Sequence, residues 1–125
     1  MFDVALVREI LSQIYSATQT IQRRFRPIAS PLDFTASDEG MEKLDAICMQ
    51  LIAIGESVKN LDKVTGGRLL PRYPEIEWKR VMGLRDVLSH HYFDIDAETV
   101  YDVCSTHIPH LSECVHRMLE DLSKL

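Results

Sequence analysis

Apolar residues recur along this chain at steps of three and four, and no stretch alternates between apolar and polar. One stripe is Val4, Val7, Leu11, Ile14, Thr18, Ile21 and Phe25. A second is Leu44, Ile47, Leu51, Ile54, Val58 and Leu61, broadened by Met41 and Cys48. A third is Trp78, Val81, Arg85, Leu88 and Tyr92, and a fourth Val100, Cys104, His107/Ile108, Leu111, Val115, Met118 and Leu122. Steps of three and four follow one face of a helix with 3.6 residues per turn; a strand would need a period of two. The pattern predicts helices over about 2–26, 37–62, 75–90 and 97–122. Short connections between amphipathic helices give an antiparallel up-and-down bundle, an all-α fold.

The breaks between stripes carry the residues that stop helices. Pro27 and Pro31 end the first, and 28–37 reads as a connector. Thr65-Gly66-Gly67 ends the second, and Pro71 and Pro74 delay the next start, so 63–75 reads as loop. Asp96 is the expected cap of the last helix, Asp3 reads as a cap or a first-turn acid, and Glu75 and Glu77 suit a first turn. Ser37 is followed at the third position by Gly40, which is no capping box. Pro109 falls inside the last stripe and predicts a kink or break near His107. Gly55 lies in a helix interior, where glycine costs about 1 kcal/mol against alanine; close helix packing or close approach of a ligand would explain it.

The 125 residues suit one domain over 1–125, with no internal repeat. At a net charge of −5 the chain is not a broadly basic nucleic-acid binder, although a local basic cleft remains compatible with that total. Arg23, Arg24 and Arg26 crowd the end of the first helix, either to complement its dipole or to contact phosphate. Three cysteines, Cys48, Cys104 and Cys114, fall on apolar faces without CxxC spacing and are expected to be buried reduced thiols. No apolar run reaches the roughly 20 residues that span a membrane, and no signal-peptide pattern is read. The expected location is cytoplasmic, with no membrane partner.

Chemistry concentrates between Gly83 and Phe93. Arg85, His90, His91 and Tyr92 fall within eight residues, and Arg85 is expected on the inward stripe. A guanidinium there needs a partner or a wet cleft. It could pair with Asp86 or Glu56 in a purely structural role, and Glu56 reads either as a solvated acid or as a carboxylate facing a site. As a site, the set suits phosphodiester chemistry on RNA. Histidine, with an ordinary pKa of about 6.5, can move the 2′-hydroxyl proton, and arginine can hold the phosphate. His90 lies five residues from Arg85, roughly 140° around a straight helix, so the two should not converge within one helix. A site shared between two copies would resolve that. The histidines lack metal-ligand spacing: there is no His-Glu-x-x-His and no pair of His at i, i+4, so no metal and no cofactor are expected. His107, His110 and His116 read as partly exposed helix residues.

Arg85-Asp86-Val87-Leu88-Ser89-His90-His91-Tyr92 resembles the Arg-x4-His-x-Tyr motif of HepT-like proteins in the HEPN superfamily. Ile54-Gly55-Glu56, Pro74-Glu75-Ile76-Glu77-Trp78, Met82-Gly83-Leu84-Arg85, Tyr92-Phe93-Asp94-Ile95-Asp96 and His107-Ile108-Pro109-His110-Leu111 resemble further segments of that family, in the same order. The resemblance implies a four- to five-helix HEPN bundle that forms a homodimer. It implies a metal-independent ribonuclease site at the dimer interface, with Arg85 and His90 catalytic and RNA, not DNA, as substrate. It further implies a toxin–antitoxin pair, in which an MntA-like nucleotidyltransferase antitoxin adds AMP to Tyr92 and silences the nuclease. Asp86 stands where the family often has Asn, and His91 is a second titratable ring; with Glu56 they are supporting candidates. The alternative is a catalytically inactive helical subunit that binds a nucleotide and the nucleotidyltransferase.

Overall fold

The computed structural model describes residues 2–88 and 94–124. Among these the chain is helical throughout, with no strand, in the all-α bundle that the stripes predict. Two long helices form its spine: α1 (Val4–Phe25) and α3 (Asp38–Val64). At 1.5 Å per residue, the 27 residues of α3 run about 40 Å. A one-turn helix, α2 (Leu32–Thr35), lies between them, inside the expected connector, and buries Phe34 completely against Phe25, whose ring centroid is 6.2 Å away.

Caps fix the helix starts. Asp3 accepts the Leu6 N–H at 3.1 Å, and Ser37 accepts the Gly40 N–H at 3.0 Å. Ser37 therefore caps α3 with its hydroxyl alone, without the second half of a capping box. Gly40 is needed for a separate reason: a Cβ there would stand 2.0 Å from the Asp33 carbonyl oxygen. After α3, Gly66 and Gly67 take positive φ (59° and 71°) and turn the chain, and a 3₁₀ turn over Leu70–Arg72 follows.

The expected single helix over 75–90 is instead broken at Gly83 into α4 (Trp78–Met82) and α5, described over Leu84–Leu88. Glu75 and Glu77 precede α4 rather than filling its first turn, and Glu75 is ion-paired with Arg117 across the bundle. The cause of the break lies on α3. A Cβ on Gly55 would lie 2.8 Å from the Val81 carbonyl oxygen and 3.7 Å from Leu84 Cβ. The bare face of α3 at Gly55 lets the α4–α5 corner press against it, which is the close packing that a glycine in a helix interior suggests.

The last stripe forms α6 (Ala97–Asp102), a π-helical segment (Val103–His107) and α7 (Ile108–Ser123). Asp96 caps α6, accepting from the Glu98 and Thr99 N–H groups at 3.0 and 3.2 Å. The irregularity anticipated near His107 is thus a widened turn just before Pro109, which supplies no N–H to the helix. α7 runs antiparallel to α1, since Thr18 bonds Ser112 (3.1 Å) while Tyr15 packs on His116 (5.5 Å between rings). Val7, Leu11, Ile14, Ile21, Ile47, Leu51, Ile54, Val58, Leu61, Val100, Val115 and Met118 fill the core, each 2 % exposed or less. Burial of each stabilises the fold by roughly 1.5–3 kcal/mol. Cys48, Cys104 and Cys114 are buried and free. No helix of the described residues is long and apolar enough to cross a membrane.

Candidate functional site

α5 positions the first half of the Arg-x4-His stretch. The inward stripe of α4 and α5 is Trp78, Leu84 and Leu88, all buried. Arg85 is exposed, not inward as its spacing from Trp78 and Val81 suggests. Leu84 and Arg85 both sit at helical spacings from Val81 and Leu88. The break at Gly83 selects the leucine, because burying a guanidinium costs far more than burying an isobutyl group.

Arg85 makes no ion pair and donates no hydrogen bond among the described residues, so the structural role considered for it, pairing with Asp86 or Glu56, is not realised there. Asp86 is exposed next to it. Glu56, one residue beyond Gly55 on α3, is exposed and pairs with Lys59 at 2.9 Å. The Lys59 hydrogen bond, then its charge, and to a smaller degree the charge of Arg85 hold the Glu56 carboxyl below its ordinary pKa. Glu56 therefore stays ionised, engaged by Lys59 and within electrostatic reach of Arg85. Sequence reading passed over Lys59, although its i, i+3 spacing from Glu56 was visible.

After the described part of α5, the chain is beside Leu88 again at Asp96, whose N–H bonds the Leu88 carbonyl at 3.1 Å. The residues between those two include His90, His91 and Tyr92, which lie outside the described residues together with Ser89 and Phe93. Of the expected site set, the structure therefore brings Arg85 within electrostatic reach of Glu56 and leaves Asp86 exposed on α5.

Behind that surface, a cleft of about 300 Å³ separates α4 and α5 from the α6–α7 arm. Val81, Leu84, Val87, Val103 and Ile108 line it, and His107 and His110 stand on its rim. Arg85 is not among its walls. His107 lies 3.6 Å from Asp102, five residues earlier, a juxtaposition that the π-helical turn permits and a straight α-helix would not. His107, His110 and His116 are exposed, and Ile108 rather than His107 takes the buried place on the stripe. Among the described residues no group of three or more His, Cys, Asp and Glu side chains could hold a metal ion.

The model of one protein family, described as ribonuclease HepT-like, matches residues 7–118, from the first turn of α1 to the last turns of α7. The chain belongs to the HepT-like family. Two similar proteins come from Methanocaldococcus jannaschii, both provisionally named as RNases. One, MJ0127, is 34% identical over 77 residues, covering 62% of this chain and 60% of the relative. The other, MJ0125, is 33% identical over 79 residues, covering 63% and 65%. A third provisionally named RNase, TTE0752 of Caldanaerobacter subterraneus subsp. tengcongensis, is 32% identical over 75 residues, covering 60% and 63%. The matched stretch thus spans less than two-thirds of the length of these relatives. No solved structure matches significantly.

Proposed function

We propose that this HepT-like protein is a ribonuclease toxin that cuts RNA without a metal ion. The observation that carries the reading is Arg85: a guanidinium held on a helix packed against α3, exposed and without an acidic partner among the described residues. An open guanidinium fork matches two phosphate oxygens bidentately. The family match and the RNase names of the relatives support the same chemistry.

In this reading His90 takes the proton from the ribose 2′-hydroxyl. The 2′-oxygen attacks the adjacent phosphorus, and the bond to the 5′-oxygen of the next nucleotide breaks. The products are a 2′,3′-cyclic phosphate and a 5′-hydroxyl, whose proton comes from an imidazolium or from water. Arg85 binds the non-bridging oxygens, where negative charge builds in the transition state. Two chains would form the site, because Arg85 and His90 five residues apart do not face one way on a straight helix. The dimer's acidic supporting groups are Glu56 and Asp86, with His91 a second candidate proton carrier. Control falls to an MntA-like nucleotidyltransferase. The Tyr92 phenolic oxygen attacks the α-phosphorus of ATP, pyrophosphate leaves, and the phenolic proton is lost. The bulky, charged AMP then occupies the site.

The test is cleavage of a labelled single-stranded RNA by purified protein in the presence of EDTA. Cyclic-phosphate ends, lost in Arg85→Ala and in His90→Ala, are expected. Cleavage that survives both substitutions, or that needs added metal, would overturn the reading. For the modification, incubation with the nucleotidyltransferase and ATP should add AMP to the wild type and not to Tyr92→Phe; an unchanged mass of the wild type counts against it.

A further inference from the structure

We propose that Arg23, Arg24 and Arg26 form a phosphate-binding patch that holds the RNA backbone outside the cleavage site. The inference rests on reading the protein as a ribonuclease. The three arginines occupy the last turn and C-cap of α1. Arg23 and Arg26 are exposed and Arg24 half-exposed. Complementing the helix dipole would explain a cation here, but that effect is spent within one turn and asks for no more than one or two charges. Nor do these guanidinium groups bond the carbonyls at the helix end, where the Phe25 carbonyl accepts instead from the Ile28 N–H at 2.9 Å.

Their density is the second observation. Among the described residues none of the three donates a hydrogen bond or joins an ion pair. Other cations, such as Arg8, Lys43, Arg68 and Arg72, also join no ion pair, but none of them has two further cations within three positions. The acid of the following turn, Asp33, is taken up by the Ala29 N–H at 2.7 Å. Three cations in four positions, left unneutralised on a molecule of net charge −5, make a local field that net charge conceals.

Position is the third. Phe25, set between Arg24 and Arg26, packs on the Tyr101 ring of α6 with centroids 5.2 Å apart, and the Tyr101 hydroxyl donates to the Ala29 carbonyl at 3.0 Å. Tyr101 lies five residues beyond Asp96, the residue bonded back to Leu88 of α5. Five helical residues rise about 7.5 Å. One short helix thus ties the end of the Arg85 helix to the arginine cluster. A single strand leaving the cut would meet the cluster within a few nucleotides.

The test compares the wild type with the triple variant Arg23→Gln/Arg24→Gln/Arg26→Gln on RNAs of about 4 and about 20 nucleotides. The patch predicts that KM for the longer RNA rises about tenfold with kcat unchanged, while the shorter RNA is cut as before. Binding of the longer RNA, measured on His90→Ala to prevent cutting, should lose about two from its slope of log affinity against log salt, since each phosphate contact contributes about 0.7. The triple Lys variant should restore binding, which a general loss of structure would not allow. Equal losses on both lengths, or an unchanged salt slope, overturn the patch. So does a triple variant that binds RNA normally but no longer captures the nucleotidyltransferase, since the arginines would then be a protein contact. Wild type that cuts neither RNA defeats the ribonuclease reading instead, and the salt slope still judges the patch.

Discussion

At Arg85, exposure and chemistry separate cleanly. The side chain is exposed and unpaired among the described residues, so Arg85→Ala should change stability by no more than about 0.5 kcal/mol. The same substitution should reduce RNA cleavage by about 10²-fold or more, as removal of one group aimed at developing charge does. Thermal melts beside cleavage rates check both halves. Gly55 is the converse case. A Cβ there would come within 2.8 Å of a backbone oxygen, which cannot swing aside as a side-chain tip can. Gly55→Ala should therefore cost about 1–3 kcal/mol in urea unfolding, and cleavage should fall as well, although residue 55 touches no substrate. The negative charge of Asp86 beside Arg85 leads to a milder expectation. Asp86→Asn should leave stability unchanged and raise RNA affinity a few-fold, most visibly at low salt.

At the scale of elements, α1, α3 and the α6–α7 arm were legible because long stripes with three- and four-residue steps admit no other reading. The caps Asp3 and Asp96 were legible because a short polar oxygen has a defined partner two or three residues ahead, while Thr35, Ser37 and Asp38 competed for the start of α3 until the fold selected Ser37. The α4–α5 break was not, because its cause is not local. Gly83 has negative φ (−96°), and a Cβ there would meet nothing closer than 3.5 Å, so the glycine permits the corner without forcing it. The room for the corner comes from Gly55, 28 positions away, and no local pattern reports it. Arg85 was misplaced for the same reason: in a straight helix it shares the stripe, and only the break gives that place to Leu84. Gly83→Ala should accordingly be neutral or stabilising by up to about 1 kcal/mol through the unfolded chain, in contrast to Gly55→Ala. Chemical denaturation of the two variants side by side would show it; equal losses would mean that Gly83 itself holds the corner. Of the candidate site, the residue types and the family pattern were readable. The exposure of Arg85 and its surroundings on α3 needed the fold.

At the scale of the whole molecule, the buried thiols tie stability to pH. Burial raises the Cys48 and Cys114 thiols from 9.0 to about 11, and burial and then the neighbouring Cys48 raise Cys104 to about 12. In the unfolded chain they ionise near their ordinary value. Between about pH 9 and 11 the native state therefore holds more protons than the unfolded state, and stability falls as pH rises. The contribution is complete below pH 9.0 and lost towards 12. Melting temperature should hold steady to about pH 9 and then decline, and substituting Cys48 and Cys104 with Ala should flatten the decline even though the variant starts less stable.

The five-residue length of α4 has a thermal consequence. So short a helix does not persist alone in water, and its conformation is lent to it by the surface of α3, against which it packs. The molecule should then have two ceilings on heating: a lower one, where the α4 corner slips from its seat beside Gly55 and the proposed RNA cleavage stops, and a higher one, where the bundle melts. Cleavage would return on cooling from between them, without refolding.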